Sequence, residues 1–148
     1  KYAPYVENGT SPAPTLSYKA GDLVRVTLSL DLSKERRFVA VDDPLPAGFE
    51  PVESWFATTA ATLTTDQRTN EAQGAWWNWW QRGGFDHVER HDDKVRLFAT
   101  RLSEGHHEFS YVVRATTSGT FRTAPAHVEE MYEPEVFGRT ATAVIEVR

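Results

Sequence analysis

The sequence predicts an all-β domain, specifically an antiparallel two-sheet β-sandwich. One long segment alternates strictly between apolar and polar residues, which is typical of a half-buried strand. Turn signals follow at short, fairly even intervals, as in sandwich folds. The segments between them lack the helical period that crossover helices of a parallel α/β fold would need. Residues 57–80 interrupt this rhythm, and we expect a surface excursion there with room for one short helix.

Length and composition are those of a single domain. The chain has 148 residues, 40% of them hydrophobic and 12% aromatic, with a formal net charge of −5. A domain of this size can bury a core without a stabilising metal, so we expect residues 1–148 to form one domain with no cofactor. The acidic balance excludes the usual nucleic-acid-binding face, because phosphate contacts need clustered lysine and arginine.

Cysteine is absent from the chain. This excludes a disulfide framework, a thiolate-bound metal and a cysteine nucleophile within these residues. No apolar run reaches the roughly 18 residues of a membrane helix, so we expect no direct membrane insertion. The first residues do not resemble a signal peptide. We therefore expect a mature protein or a domain cut from a larger one.

The clearest strand runs from Asp22 to Ser33. Its apolar residues share one face, where we expect the core, and we expect Leu28 at the centre of that face to be fully buried. The residues of this face are Val24, Val26, Leu28, Leu30 and Leu32. A second run, from Phe38 to Val41, leads into residues 42–48. Since two prolines in that segment lack amide donors, we expect it at a sheet edge or in a loop.

The second half of the chain continues the strand pattern. We expect strands at Phe85–Glu89, Lys94–Thr100, His106–Thr116, Thr120–Thr123 and Thr140–Val147. Between the last two lies Pro125–Gly138, a long acidic segment that contains proline. We interpret it as a loop, and loops of that length in a compact domain are usually functional.

All five tryptophans lie in the middle of the chain. Four of them, Trp76, Trp77, Trp79 and Trp80, fall within five positions. Tryptophan is mostly buried, so packing in a core is the simplest interpretation. Four tryptophans so close together cannot all face inward from one strand, however. The cluster is therefore a candidate partner surface, and stacking of sugar rings on it would make the domain a carbohydrate-binding module.

The histidines and carboxylates show no recognisable catalytic or metal motif. His106 and His107 are adjacent and point to opposite sides of a strand, so they cannot bind one ion together. Tetrahedral ligand spacing is missing, and we expect no metal. The absence of a nucleophile elbow or a phosphate-binding glycine loop favours a non-catalytic domain. A hydrolase that uses the Asp and His residues of positions 86–93 is the enzymatic alternative.

Three segments together resemble the C-terminal macroglobulin-like domain of bacterial alpha-2-macroglobulins. The first is Val41–Pro51; the second combines Phe85–Glu89 with Asp92–Val95; the third, Glu129–Arg139, is the most specific. The resemblance covers nearly the whole chain. It implies a macroglobulin or receptor-binding-domain-like sandwich within a large protease trap, in which a cleaved bait region leads to covalent capture of the protease by an internal thioester.

The resemblance also implies a role for the acidic segment. In this family the terminal domain packs against the thioester domain of the same chain and shields the reactive bond from water. Met131 and Tyr132 correspond to the shielding pair, and their neighbours Glu130, Glu133, Pro134, Phe137 and Gly138 would support the loop. The residues alone favour simple packing of this pair on its own domain. The resemblance favours the shielding role.

Further expectations concern partners and location. The resemblance implies that target proteases are met through the full-length inhibitor, in the periplasm, with the protein anchored to the inner membrane as a lipoprotein. The thioester's own cysteine would lie elsewhere in the full-length chain, since none occurs here.

Overall fold

The computed structural model describes residues 1–6, 12–52 and 84–148. These residues contain twelve strands and no helix, so no membrane-spanning helix occurs among them either. The strands are β1 (Tyr2–Pro4), β2 (Ser17–Tyr18), β3 (Leu23–Leu32), β4 (Arg36–Pro44), β5 (Phe49–Pro51), β6 (His87–Arg90), β7 (Lys94–Leu102), β8 (Gly105–Ala115), β9 (Gly119–Arg122), β10 (His127–Glu130), β11 (Glu133–Arg139) and β12 (Val144–Val147).

The predicted all-β, antiparallel class is confirmed, with three hydrogen-bonded sheets in the described residues where two were expected. A four-stranded sheet has the order β1-β3-β8-β5, and a five-stranded sheet has the order β11-β10-β4-β7-β6. The third sheet, β2-β12-β9, contains a parallel pairing of β2 with β12. The short helix expected in residues 57–80 lies outside the described residues.

The core lies where apolar faces of the three sheets meet. β3 and β8 pair along their whole length, with Val24 opposite Val113 and Leu28 opposite Phe109. The expected strand His106–Thr116 is confirmed within one residue, and its inward face is buried from Phe109 to Ala115. The other sheets contribute residues such as Leu97 of β7 and Ile145 of β12, both fully buried.

Leu28 is less buried than its central position predicts. Val24 and Val26 of the same face are buried, but Leu28, Leu30 and Leu32 are only partly so. β1 pairs with β3 only as far as Val26. Leu28 and Leu30 line a cleft of about 210 Å³ between β3 and the β10–β11 hairpin. The expectation of full burial was wrong because the facing hairpin leaves this end of the row open.

The segment of residues 42–48, which was expected at a sheet edge or in a loop, lies partly in a central strand. Its first residues, Asp42 to Pro44, continue β4, the central strand of the five-stranded sheet. β10 pairs with β4 from Val39 to Asp42, whereas β7 pairs with it as far as Pro44. Pro44 is tolerated because it ends the strand beyond the last β10 pair, where its missing N–H is not needed.

The segment Pro125–Gly138 is likewise not a loop. It forms the hairpin β10–β11, with a register shift between Glu129 and Glu130. The bulge and the many carboxylates hide the alternation that identifies strands from sequence. The last strand, β12, begins at Val144 and is shorter than the expected Thr140–Val147.

Candidate functional site

Met131 and Tyr132 form the turn that joins β10 to β11. Both side chains are exposed, Met131 by 43% and Tyr132 by 76%. Large apolar side chains on a hairpin turn are unusual, because turns favour small and polar residues. The structure therefore places the sequence-predicted pair on the turn of the hairpin that forms one edge of the five-stranded sheet.

A third residue, the aromatic Phe38 of β4, lies directly against this turn. The carbonyl oxygen of Phe38 accepts a 2.8 Å hydrogen bond from the Met131 amide. The Phe38 and Tyr132 rings meet edge to face, with centroids 5.0 Å apart and an interplanar angle of 88°. Such pairs contribute about 0.5–1.5 kcal/mol beyond area burial. We call Phe38, Met131 and Tyr132 the tip cluster.

The backbone at Phe38 is strained. Its φ angle is +51°, in the left-handed region that a bulky aromatic residue rarely adopts. The register with β7 passes from Arg37–Arg101 to Val39–Ala99, so the strand continues on both sides of the irregularity. Phe38 is itself 41% exposed. No role was predicted for Phe38, because nothing in the sequence pattern of β4 marks this position.

Charged residues surround the base of the tip cluster. Glu130, predicted to support the loop, accepts a 3.4 Å hydrogen bond from the Arg37 amide and lies 3.7 Å from the Arg36 guanidinium. Glu35 binds Arg101 at 2.6 Å and also contacts Arg37. The hydrogen bond from Arg101 lowers the pKa of Glu35 below its usual value. An apolar tip thus stands on a base of paired charges.

The other predicted support residues divide into two groups. Glu133 opposes Glu130 beside the turn, and Pro134 follows it on exposed β11. Phe137 and Gly138 lie farther along β11. Phe137 stacks on His127 with ring centroids 5.7 Å apart, and Gly138 packs so closely that an added Cβ would lie 3.3 Å from Val128 Cγ1. These two residues hold the hairpin together away from its tip.

Among the described residues, Asp86 and His87 of the hydrolase alternative do not share a partner. Trp76, Trp77, Trp79 and Trp80 lie outside the described residues. Asp86 accepts a hydrogen bond from the Thr100 amide, and His87 lies 3.5 Å from Glu89, so the two groups have different partners. Within the described ranges, no group of three or more His, Asp or Glu residues could hold a metal ion.

Comparison with known proteins supports the resemblance seen in the sequence. Residues 1–135 match the family described as the bacterial alpha-2-macroglobulin MG10 domain. An alpha-2-macroglobulin homolog from Nostoc sp. is 32% identical over 126 residues, which cover 85% of this chain and 6% of that protein.

Solved structures agree. Native alpha-2-macroglobulin from Escherichia coli, spanning domain MG7 to the C-terminus, is similar with a TM-score of 0.73 and 25% identity, over 100% of this chain and 23% of that one. Trypsin-activated alpha-2-macroglobulin from Escherichia coli gives 0.75 and 27%, over 100% and 10%. The chain thus spans a small part of these relatives. With the family match extending over most of its length, the chain belongs to the bacterial alpha-2-macroglobulin MG10 domains.

Proposed function

We propose that residues 1–148 are the C-terminal macroglobulin-like domain of a bacterial protease trap, a non-catalytic part that packs against the thioester domain of the same full-length chain. In this proposal the tip cluster covers the reactive thioester and excludes water and small amines. The observation that carries it is the exposure of Met131 and Tyr132 together on a hairpin turn.

The chemistry of the tip suits such a cover. A thioester persists only where nucleophiles cannot reach its carbonyl carbon. A broad aromatic ring beside a flexible thioether can fill an irregular apolar space and displace water from it. The paired charges at the base keep the hairpin soluble around an apolar end. Three neighbouring exposed side chains of this kind, as in the tip cluster, favour contact with another protein surface.

The proposal also covers the wider setting of the full-length protein. A related protein of Escherichia coli is described as trypsin-activated, and this agrees with a role in which proteases are met by the full-length molecule. We extend the proposal to location, with the full-length protein in the periplasm and anchored to the inner membrane.

The test uses the full-length inhibitor with its thioester intact. Tyr132→Ala and Met131→Ala should each speed the reaction of uncleaved protein with methylamine, measured as thiol released over time. Val144→Ala is the control, since Val144 is similarly exposed but lies on β12 in another sheet. Wild-type rates in both tip variants, with the domain folded, would show that these residues do not shield the thioester.

A further inference from the structure

Phe38 combines two unfavourable features in one residue. Its backbone lies in the left-handed region, which costs about 1–3 kcal/mol in a bulky side chain, and its ring is substantially exposed. Neither feature contributes to the core. The buried residues of β4 begin after it, with Val39 and Val41.

The same conformation gives Phe38 contacts with both residues of the turn. β10 pairs with β4 as far as Glu130 opposite Val39. The next hydrogen bond, from the Met131 amide to the Phe38 carbonyl, extends this attachment into the turn itself. The Phe38 ring then meets the Tyr132 ring. One residue of β4 therefore holds the backbone of Met131 and the side chain of Tyr132.

A role in the stability of the domain alone does not explain this arrangement. Asparagine adopts the left-handed region at lower cost than phenylalanine, and a polar side chain would suit an exposed position better. Strained residues of this kind cluster where a fixed geometry is needed for function.

We propose that Phe38 is a positioning residue for the thioester cover: its ring and its carbonyl fix the turn so that Met131 and Tyr132 face the partner domain as one preformed apolar surface. This inference rests on the proposed function. Contacts from Phe38 of β4 hold Met131 and Tyr132 in a fixed arrangement, and the strained backbone of Phe38 is the cost of these contacts.

The proposal predicts that one substitution weakens shielding of the thioester without lowering the stability of the domain. In the full-length inhibitor, Phe38→Asn should relax the backbone and leave the melting temperature of the domain unchanged or raised. Loss of the ring contact should nevertheless make the thioester react with methylamine about 2- to 10-fold faster. Hydrogen exchange at the Met131 amide should also become faster. A residue with only a structural role would not separate these readouts.

Three further variants complete the experiment. Phe38→Tyr keeps the ring and should retain the wild-type methylamine rate. Phe38→Leu keeps apolar volume without the ring edge, and provides a second test if the asparagine variant folds poorly. Val144→Ala is again the exposed-residue control. A wild-type rate in Phe38→Asn and Phe38→Leu, alongside faster reaction in Tyr132→Ala, would overturn the positioning role and leave the cover in place. Wild-type rates in all variants, Tyr132→Ala included, would overturn the cover itself.

Discussion

The phenol of Tyr111 donates a 2.6 Å hydrogen bond to Asp43 Oδ2 in the interior of the domain. Tyr111 belongs to β8 of the four-stranded sheet and Asp43 to β4 of the five-stranded sheet, so this bond joins the two sheets directly. Asp43 is only 3% exposed. Burial raises the pKa of the Asp43 carboxyl, and it raises that of the Tyr111 phenol well above 10.

Removing the hydroxyl group of Tyr111 should therefore lower the stability of the domain. In Tyr111→Phe the buried carboxyl loses its donor while the ring continues to fill its space. We expect the free energy of unfolding to fall by about 1–3 kcal/mol, the cost of leaving a buried polar group unpaired. Urea denaturation of the 148-residue chain measures this change. An unchanged urea midpoint would mean that a water molecule replaces the Tyr111 hydroxyl as the donor to Asp43 at no cost in free energy.

The raised pKa of Asp43 also sets the sign of a pH effect. The folded state holds this proton more tightly than the unfolded chain, whose carboxyl has its ordinary pKa of 3.8. The stability linked to protonation is fully present below that value, and it is lost as the pH rises through the higher folded pKa. Asp43→Asn removes this loss and can still accept the Tyr111 hydrogen bond. Relative to wild type, the variant should gain stability between acidic and neutral pH in urea titrations; parallel curves would contradict this.

Leu97 and Leu28 allow the stability cost of losing a fully buried side chain to be compared with that of losing a partly buried one. Leu97 of β7 is fully buried, and Leu97→Ala should cost about 2–5 kcal/mol of unfolding free energy by lost burial and cavity formation. Leu28 lines the same cleft as Leu97 but is only partly buried, so Leu28→Ala removes less buried surface and should cost clearly less. Chemical denaturation of both variants gives the comparison. Equal losses would indicate that the cleft is filled in solution.

Gly48 lies against the ring of Phe121. A Cβ added at Gly48 would lie 2.3 Å from Phe121 Cε2, so the ring must move. We expect Gly48→Ala to destabilise the domain by about 1–3 kcal/mol through overpacking. Phe121→Leu in the same chain should recover part of the loss because the smaller side chain makes room. A double variant no more stable than Gly48→Ala alone would place the cost in the backbone.

His106 carries an exposed ion pair that NMR can follow. Its Nδ1 lies 2.6 Å from Asp31, whose hydrogen bond is the main cause of a raised His106 pKa; Glu108 adds a smaller effect. The pair's stabilisation is present below the ordinary histidine pKa of 6.5 and is lost as the pH rises through the folded pKa. Asp31→Asn should lower the His106 pKa more than Glu108→Gln does. The reverse order would show that Glu108 is the dominant partner.

Local pattern determined much of the fold. The alternation of β3 and β8 follows from the period-two geometry of a strand, so their facing rows could be predicted from residue types alone. The strands β6 and β7 were predicted in the same way from their apolar runs. In the candidate site, Met131 and Tyr132 were identified by resemblance, and the structure places both at an exposed turn.

Other features depend on which strands become neighbours, and that is decided only in three dimensions. Asp42–Pro44 occupies a central strand because β10 ends its pairing before Pro44, a coincidence of register between segments about 85 residues apart. The β10–β11 hairpin forms against β4 despite its carboxylates and its bulge. Phe38 joins the tip cluster because the same pairing brings the Met131 amide to its carbonyl. Sequence periodicity reports the two faces of one strand, whereas strand neighbours, edges and backbone strain arise from long-range hydrogen bonding that no local pattern encodes.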